Sequence, residues 1–437
     1  MNLFTHHVDM ETSKASNAFF DAGRRVRLPQ IKTSAFESFA IGPLTLKNHF
    51  IKAATNEGMA KHGMVTKGLS LFHQRMAKGG VAMTTVAYCA TSSEGRTFVD
   101  QAVMERASFA DWKAMADAVH KEGAAICAQL THAGSFTFLP RDVLDVDKPM
   151  SSSGGFNKVG LFSRRFFKRA MTRAEMDDVA KQFVDAAIVA KDAGFDAVEL
   201  HMGHGYLLSQ YVSPIYNKRR DAYGGSIEKR MTFPKEVLSK VLDAVGKEIA
   251  VIVKYSMTDG KRGGNTINDG AAVAQALQTT GAHMAVLSNG LNVESITAMF
   301  GSSLPPTQSK PANPIIGLGM KIQAMMEPKN VQFHENYLRE NARRIRTAVD
   351  MPLAYVGGIQ SLTGVNMALS DGFDAIVMGR ALIHDPQLIN QWQQGAAEKS
   401  GCTACNRCVT MMYMPEGTHC ILTGAQDANL NQIRAGA

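Results

Sequence analysis

Residues 196–230 read DAVELHMGHGYLLSQYVSPIYNKRRDAYGGSIEKR. A short apolar run, Ala197 to Leu200, ends in His201, His204 and Tyr206; a Gly224–Gly225 turn then leads to a helix start at Ser226. The pattern is that of a buried strand whose tip opens into a loop dense with hydrogen-bonding side chains. In a barrel of alternating strands and helices, that loop is where chemistry sits.

Working outward, seven more apolar runs occur at 50–55, 81–88, 126–132, 249–256, 284–289, 353–359 and 375–380, which with 196–202 makes eight candidate strands. Continuous apolar runs suit strands buried on both faces of a parallel sheet. Helical patterns separate them. In 172–192, Thr172 and Glu175 form a capping-box pair, Met176, Val179, Phe183, Ala187 and Ala190 share one face, and Gly194 stops the helix. Further helices are expected at 109–121, 226–245, 269–279, 335–349, 362–369 and 386–399, with a short one near 70–78. An open, doubly wound sheet would place G-x-G-x-x-G after the first strand. The chain has Asn56-Glu57-Gly58-Met59-Ala60 there. The expected class is therefore α/β, a closed (β/α)8 TIM barrel. Residues 1–35 read as an N-terminal arm or partner-docking segment, 36–399 as the barrel and 400–437 as a cysteine-containing tail. Long excursions at 135–170 and 290–333, after strands three and six, are expected to act as lids or substrate walls.

The 437 residues are 45% hydrophobic and 20% charged, an ordinary globular balance. Net charge is +8, and the basic clusters at 164–169 and 343–346 read as solvated faces. A basic surface favours an anionic substrate or cofactor but makes no nucleic-acid case. No apolar run approaches the roughly 18 residues of a membrane span. Six cysteines, four of them near the C-terminus, make no disulfide scaffold and suit a reducing cytoplasm.

Strand seven ends in Gly357-Gly358 and strand eight in Gly379-Arg380. Barrels commonly bind phosphate with these two loops, where glycines let backbone N–H groups approach the anion and an arginine adds a charge-assisted bond. A tight turn is the plain alternative. His201-x-x-His204 could hold a metal, donate to a substrate oxygen or sit as satisfied core histidines. No further ligand follows in Gly205, Leu207 or Leu208, and the pair beside Tyr206 favours a donor site for an anionic or carbonyl oxygen. Tyr206 suits a general acid; its alternative is a core tyrosine. Gln129 and His132 end strand three. Lys254 ends strand five, and suits either stabilisation of a reduced ring or a structural ion pair.

The run 201–210, continued by Ser213-Pro214, Asn217, Arg219, Asp221 and 223–226, resembles the signature of the old yellow enzyme family of FMN-dependent ene-reductases. The segments 128–134, 357–359 and 377–380 resemble its other motifs in the right order. The resemblance implies FMN at the barrel mouth. Ala54, Thr55, Asn56, Ala87, Gln129 and Lys254 would line the ring, and Gly357, Gly358, Gly379 and Arg380 would hold the phosphate. His201 and His204 would bind the carbonyl oxygen of an α,β-unsaturated substrate, a small enone or related electron-poor alkene. Tyr206 would protonate its Cα, and NADH or NADPH would be the reductant. Lys254 stands where the family usually has arginine, and Asn56 where it often has threonine or cysteine.

Cys402, Cys405 and Cys408, with Cys420 after eleven more residues, have a spacing suited to a [4Fe–4S] cluster, to zinc, or to neither. The spacing is similar to that of the trimethylamine dehydrogenase and 2,4-dienoyl-CoA reductase relatives. Two rival readings follow: an amine dehydrogenase or demethylase using FMN and a cluster, and an interaction module recruited by the tail. Homo-oligomer formation stays open.

Overall fold

The computed structural model describes residues 34–305, 318, 328, 330–412, 414 and 416–423. Nearly all of the expected N-terminal arm, the stretches 306–317 and 319–327 and residue 329 of the second excursion, and residues 413, 415 and 424–437 of the tail lie outside these residues.

Eight parallel strands close a barrel in the expected order: β1 (Phe50–Lys52), β2 (Met83–Ala90), β3 (Ala125–Thr131), β4 (Ala197–Met202), β5 (Ala250–Ser256), β6 (Met284–Ser288), β7 (Leu353–Tyr355) and β8 (Ala375–Met378), with β8 pairing back onto β1. β2, β4 and β5 are buried along their whole length. This follows from closure: one face packs the barrel axis and the other packs the helices. Met83, Cys127, Ala250, Met284 and Val286 belong to the inner core. Phe183, Val237 and Val273 belong to the layer between strands and helices.

The sequence reading misses the hairpin of Phe39–Ile41 and Leu44–Leu46. Its Ile41 and Leu46 join the inner core and plug the end of the barrel opposite the strand tips. The signal was present as a Gly42-Pro43 turn between apolar pairs. Gly42 sits at φ +55, and a Cβ there would come 2.5 Å from the His283 ring.

Helix Arg173–Asp192 carries the anticipated capping box, and Met176, Val179, Phe183, Ala187 and Ala190 are buried along its inner face. Three helices differ from expectation, each for a local reason. The segment 226–245 divides into Ile227–Arg230 and Thr232–Val245. Pro234 has no N–H to offer the Arg230 carbonyl, so the ladder breaks there. The segment 335–349 shortens to Arg339–Arg346, because Asn336 adopts φ +63. The segment 386–399 shortens to Leu388–Gln393, followed by Gly395 at φ +69.

The excursion after β3 is more ordered than a bare lid. It folds a small sheet from Met150–Ser151, Gly155–Phe156 and Phe167–Ala170. The basic run 164–169 is not wholly a solvated face. Arg165 is 1% exposed, and its guanidinium donates to the carbonyls of Leu139, Leu144 and Val146. One planar fork thereby ties three turns of the excursion together. Arg165→Gln leaves buried carbonyls unpaired, at about 1–3 kcal/mol for each unsatisfied group. Amide exchange within 135–170 should accelerate in that variant while the barrel strands keep their protection. Unchanged exchange in the excursion would contradict the role.

Candidate active site at the mouth of the barrel

After β4 the backbone enters the left-handed region twice, at His204 (φ +62) and Gly205 (φ +88). This conformation is uncommon for a histidine, and the turn is pinned on three sides. The His204 N–H donates to Ser256 Oγ (3.2 Å), its carbonyl accepts from the Asn292 N–H (3.1 Å), and the Gly205 N–H donates to Ser209 Oγ (3.1 Å). The turn delivers Tyr206 to the head of helix Leu207–Val212. There Tyr206 packs with Ala54, Ala87, Tyr88 and Phe136.

The two histidines are connected in series. His201 Nδ1 accepts from the Gly203 N–H (3.2 Å), which puts the ring proton on Nε2. His201 Nε2–H then faces His204 Nδ1 at 3.3 Å, and His204 Nε2–H faces Ser288 Oγ at 2.7 Å. Burial pushes both imidazoles well below the usual histidine range, and the Lys254 charge pushes the same way. Both are neutral near pH 7. The His201 Nε2–H pointing at Nδ1 sets the tautomer of His204, and Ser288, at the tip of β6, receives its Nε2–H.

Aromatic rings wall the other side. Tyr206 lies 4.7 Å from the His201 ring, 5.1 Å from Tyr88 and 5.4 Å from Phe136, centroid to centroid. Burial raises the Tyr88 phenol well above its ordinary pKa, and Tyr206 adds to the shift. Tyr88 thus stays a protonated phenol beside Tyr206 in the mouth.

Buried charge lies beside and below. Lys254 is in register with His201, and its one hydrogen bond among the described residues is a long one, 3.5 Å to the Ala54 carbonyl. Burial lowers its pKa, against the pull of Glu199 and Glu57. Gln129 donates to Glu199 at 2.6 Å. Glu57 is wholly buried between Lys52 and His73, and also accepts from the Ala87 N–H at 2.8 Å. Burial pushes the Glu57 carboxyl up, but Lys52 and His73 together hold it at about 2. The sequence reading misses Glu57, His73, Glu199 and Ser288. Glu57 and Glu199 could have been found as charges set within or beside apolar runs, where only a partner makes burial tolerable.

The expected phosphate end is also brought together. Gly358 (φ +69) packs so closely on Phe333 that a Cβ would come 2.5 Å from its ring, and Arg380 lies 4.8 Å over the same ring. A Cβ on Gly379 would stand 3.2 Å from Thr55 Cγ2, and one on Gly357 would strike the Tyr355 hydroxyl. Arg380 also donates to Asn406 and to the Phe300 carbonyl. Asn56 is turned toward the tail: its amide donates to Met412 Sδ (3.2 Å), and its carbonyl accepts from Thr418 Oγ1 (2.8 Å).

Cys402, Cys405, Cys408 and Cys420 are free thiols in one neighbourhood. Burial pushes Cys408 up to about 12, and His384 Nδ1 lies 3.4 Å from Cys420 Sγ. Among the described residues, no three His, Cys, Asp or Glu side chains converge to hold a metal ion. Among them, too, no helix is long and apolar enough to cross a membrane.

His132 accepts the Gly134 N–H at 3.0 Å, and burial lowers it to about 4. His73, His201 and His204 are lowered as well. The unfolded chain takes these protons near pH 6.5, whereas the folded chain refuses them. Stability is therefore fully present above about pH 6.5 and falls as pH drops toward the folded values, by up to about 1.4 kcal/mol per pH unit per group. Urea midpoints should be lower at pH 5 than at pH 7.5, and His132→Asn should flatten the slope. Equal midpoints would contradict the assignment of neutral imidazoles.

The model of the NADH:flavin oxidoreductase / NADH oxidase family matches residues 34–399. The 4,4'-dithiodibutanoate disulfide reductase of Rhodococcus erythropolis is 38% identical over 396 residues, covering 90% of this chain and 96% of that protein. The NADH oxidase of Thermoanaerobacter brockii is 28% identical over 85% of this chain and 52% of its own length. Among solved structures, a 2-naphthoyl-CoA reductase superposes with a TM-score of 0.74 at 21% identity, covering 91% of this chain and 57% of that one. The old yellow enzyme homologue of Zymomonas mobilis superposes with a TM-score of 0.65 at 22% identity, over 85% and 96% of the two chains. The chain thus spans little more than half the length of the oxidase and of the CoA reductase. The match across the whole barrel establishes that the chain belongs to the NADH:flavin oxidoreductase / NADH oxidase family.

Proposed function

We propose that the protein binds FMN at the barrel mouth and, with NADH or NADPH as reductant, reduces the activated C=C bond of an α,β-unsaturated carbonyl compound. The observation that carries this reading is the convergence of Tyr206, the neutral His201–His204 pair and the Lys254 ammonium on one mouth. The residues fit FMN. Lys254 is a buried cation whose donors are largely unspent, which suits the electron-rich edge of a reduced ring. The tips of β7 and β8 are glycines, and Arg380 stands beside them. Ala54, Thr55, Ala87, Gln129 and Lys254 would line the ring, with Asn56 contributing backbone. Gly357, Gly358, Gly379 and Arg380 would face the phosphate.

FMN when bound supplies the hydride chemistry; the chain's own groups do the rest. The His201 Nε2–H, held by only a long bond to His204, can turn to a substrate oxygen and polarise it. The Gly203 N–H on Nδ1 keeps that donor in the right tautomer, and Ser288 holds the His204 ring beside it. Tyr206 gives its proton to the carbon that does not receive hydride, so one hydride and one proton add across the bond. Tyr88 and Phe136 keep the site dry, which strengthens each of these contacts. No step draws on a tail-bound cluster.

A second reading comes from the R. erythropolis relative, whose name specifies a disulfide as substrate. Two electrons and two protons delivered at the same mouth would cleave an S–S bond into two thiols. Rapid mixing of the reduced enzyme with 2-cyclohexenone and with 4,4'-dithiodibutanoate separates the two readings by which oxidant restores the flavin colour. Tyr206→Phe should leave reduction by the nicotinamide intact and slow reoxidation by the enone by about 10²-fold or more, the usual contribution of a general acid. Wild-type rates in both half-reactions would remove Tyr206 from that role.

A further inference from the structure

Lys168 belongs to the basic run that reads as a solvated face, yet on strand Phe167–Ala170 it is half-buried while its neighbour Phe167 is exposed. Its ammonium lies 4.9 Å over the Tyr216 ring. The Tyr216 hydroxyl donates to Glu294, and Lys158 pairs with the same carboxylate at 3.5 Å. Lys218, two residues beyond Tyr216, is the next cation bearing on Lys168. Burial lowers Lys168 to about 8, with Glu294 opposing and Lys218 and Lys158 adding to the shift, so it stays largely protonated at pH 7.

The charges here do not balance. Lys158 and Lys218 are exposed, the first paired with Glu294 and the second donating to the Pro214 carbonyl. Glu294 is thus already engaged by Tyr216 and Lys158, while the half-buried Lys168 has no ion pair within 4 Å among the described residues. The next acid, Asp259, is engaged by Ser213 Oγ and the Asn265 N–H, both at 2.7 Å, and faces Arg230. Partly desolvated positive charge without a partner is costly unless an anion arrives to share it.

The cluster also stands beside the reactive turn. A Cβ on Gly205 would come 3.0 Å from the Tyr216 hydroxyl. Leu291 bridges to His204, and the Asn292 N–H bonds the His204 carbonyl two residues before Glu294. The excursion after β3 thus brings Lys158 and Lys168, the segment after β4 Lys218 and the excursion after β6 Glu294 to the rim just outboard of His204 and Tyr206.

We propose that Lys168, flanked by Lys158 and Lys218, receives a carboxylate at the far end of the substrate, so that the substrate class is an electron-poor compound carrying an anionic tail. This rests on the mouth being the reaction site, as proposed above, but not on which bond is reduced there. Such a receptor orients the molecule from the end remote from the chemistry, where binding strength can be used to hold the reacting atoms in place.

The test uses the full-length, FMN-loaded enzyme with two probes that differ only in charge, 4,4'-dithiodibutanoate and its dimethyl ester. Dissociation constants are read from the change in flavin absorbance on binding. The wild-type protein should bind the diacid roughly tenfold tighter than the diester, equivalent to about 1.4 kcal/mol. Lys168→Met should bring that ratio close to one, Lys168→Arg should restore most of it, and Lys158→Met should lower it by a smaller step. A wild-type ratio near one, or a full ratio in Lys168→Met, overturns the proposal. The other anion that could reach this rim is the 2'-phosphate of NADPH. If Lys168→Met erases a preference for NADPH over NADH while keeping the diacid ratio, the receptor serves the reductant and the assignment to substrate falls. These outcomes are independent of enone turnover: failure to reduce 2-cyclohexenone would sink the ene-reductase reading and leave the binding ratio to be judged alone.

Discussion

An ammonium inside a protein is tolerable only opposite compensating charge and dipoles, and this barrel encloses two. Lys52 lies on β1 and Lys254 on β5, both buried. Glu57 answers Lys52 directly. Glu199 is shared between Lys254 and the Gln129 amide. The arrangement spans β1, β3, β4 and β5 and adds His73 from the first helix. It couples the mouth to the barrel wall: the carboxylate that neutralises Lys52 also holds the Ala87 N–H. Lys254 is the member left with the least complete set of partners, and it is the one nearest the histidines. The barrel thus offers a positive, water-poor floor to whatever occupies the mouth.

The turn at His204–Gly205 is the second constraint. It reverses the chain within two residues and sets an imidazole and a phenol over that floor. The strain of a left-handed histidine is offset by hydrogen bonds from β5, the loop after β6 and the following helix. Both excursions meet this turn: the one after β6 through Leu291 and Asn292, and the one after β3 through Lys168 and Tyr216. On the proposed reading, substrate selection and chemistry share a wall, so a change in either excursion would reach the mouth.

Local pattern carried much of this into the sequence. All eight barrel strands were legible, because closure buries both faces and leaves unbroken apolar runs. The Thr172/Glu175 cap was legible, because its chemistry is contained in four residues. What escaped depended on distance or on a single atom. Ser288 meets His204 across 84 residues, and no local pattern announces it. Pro234 broke a helix whose apolar periodicity continues past it. Arg165 and Lys168 sat in a run of cations that composition alone assigns to solvent, and only the folded excursion separates the buried Arg165 and the half-buried Lys168 from the exposed members. Asn56 stands on the loop assigned to the ring, but the tail engages its side chain.

The account depends most on the mouth being a binding site where an anionic oxygen meets two neutral imidazoles over a flavin. Titrating the FMN-loaded protein with a phenol, and following long-wavelength flavin absorbance, tests this most directly. The account predicts a saturable red-shifted band that weakens sharply in His201→Ala and His204→Ala. A band of undiminished affinity in the double variant, or none in the wild-type protein, would contradict it.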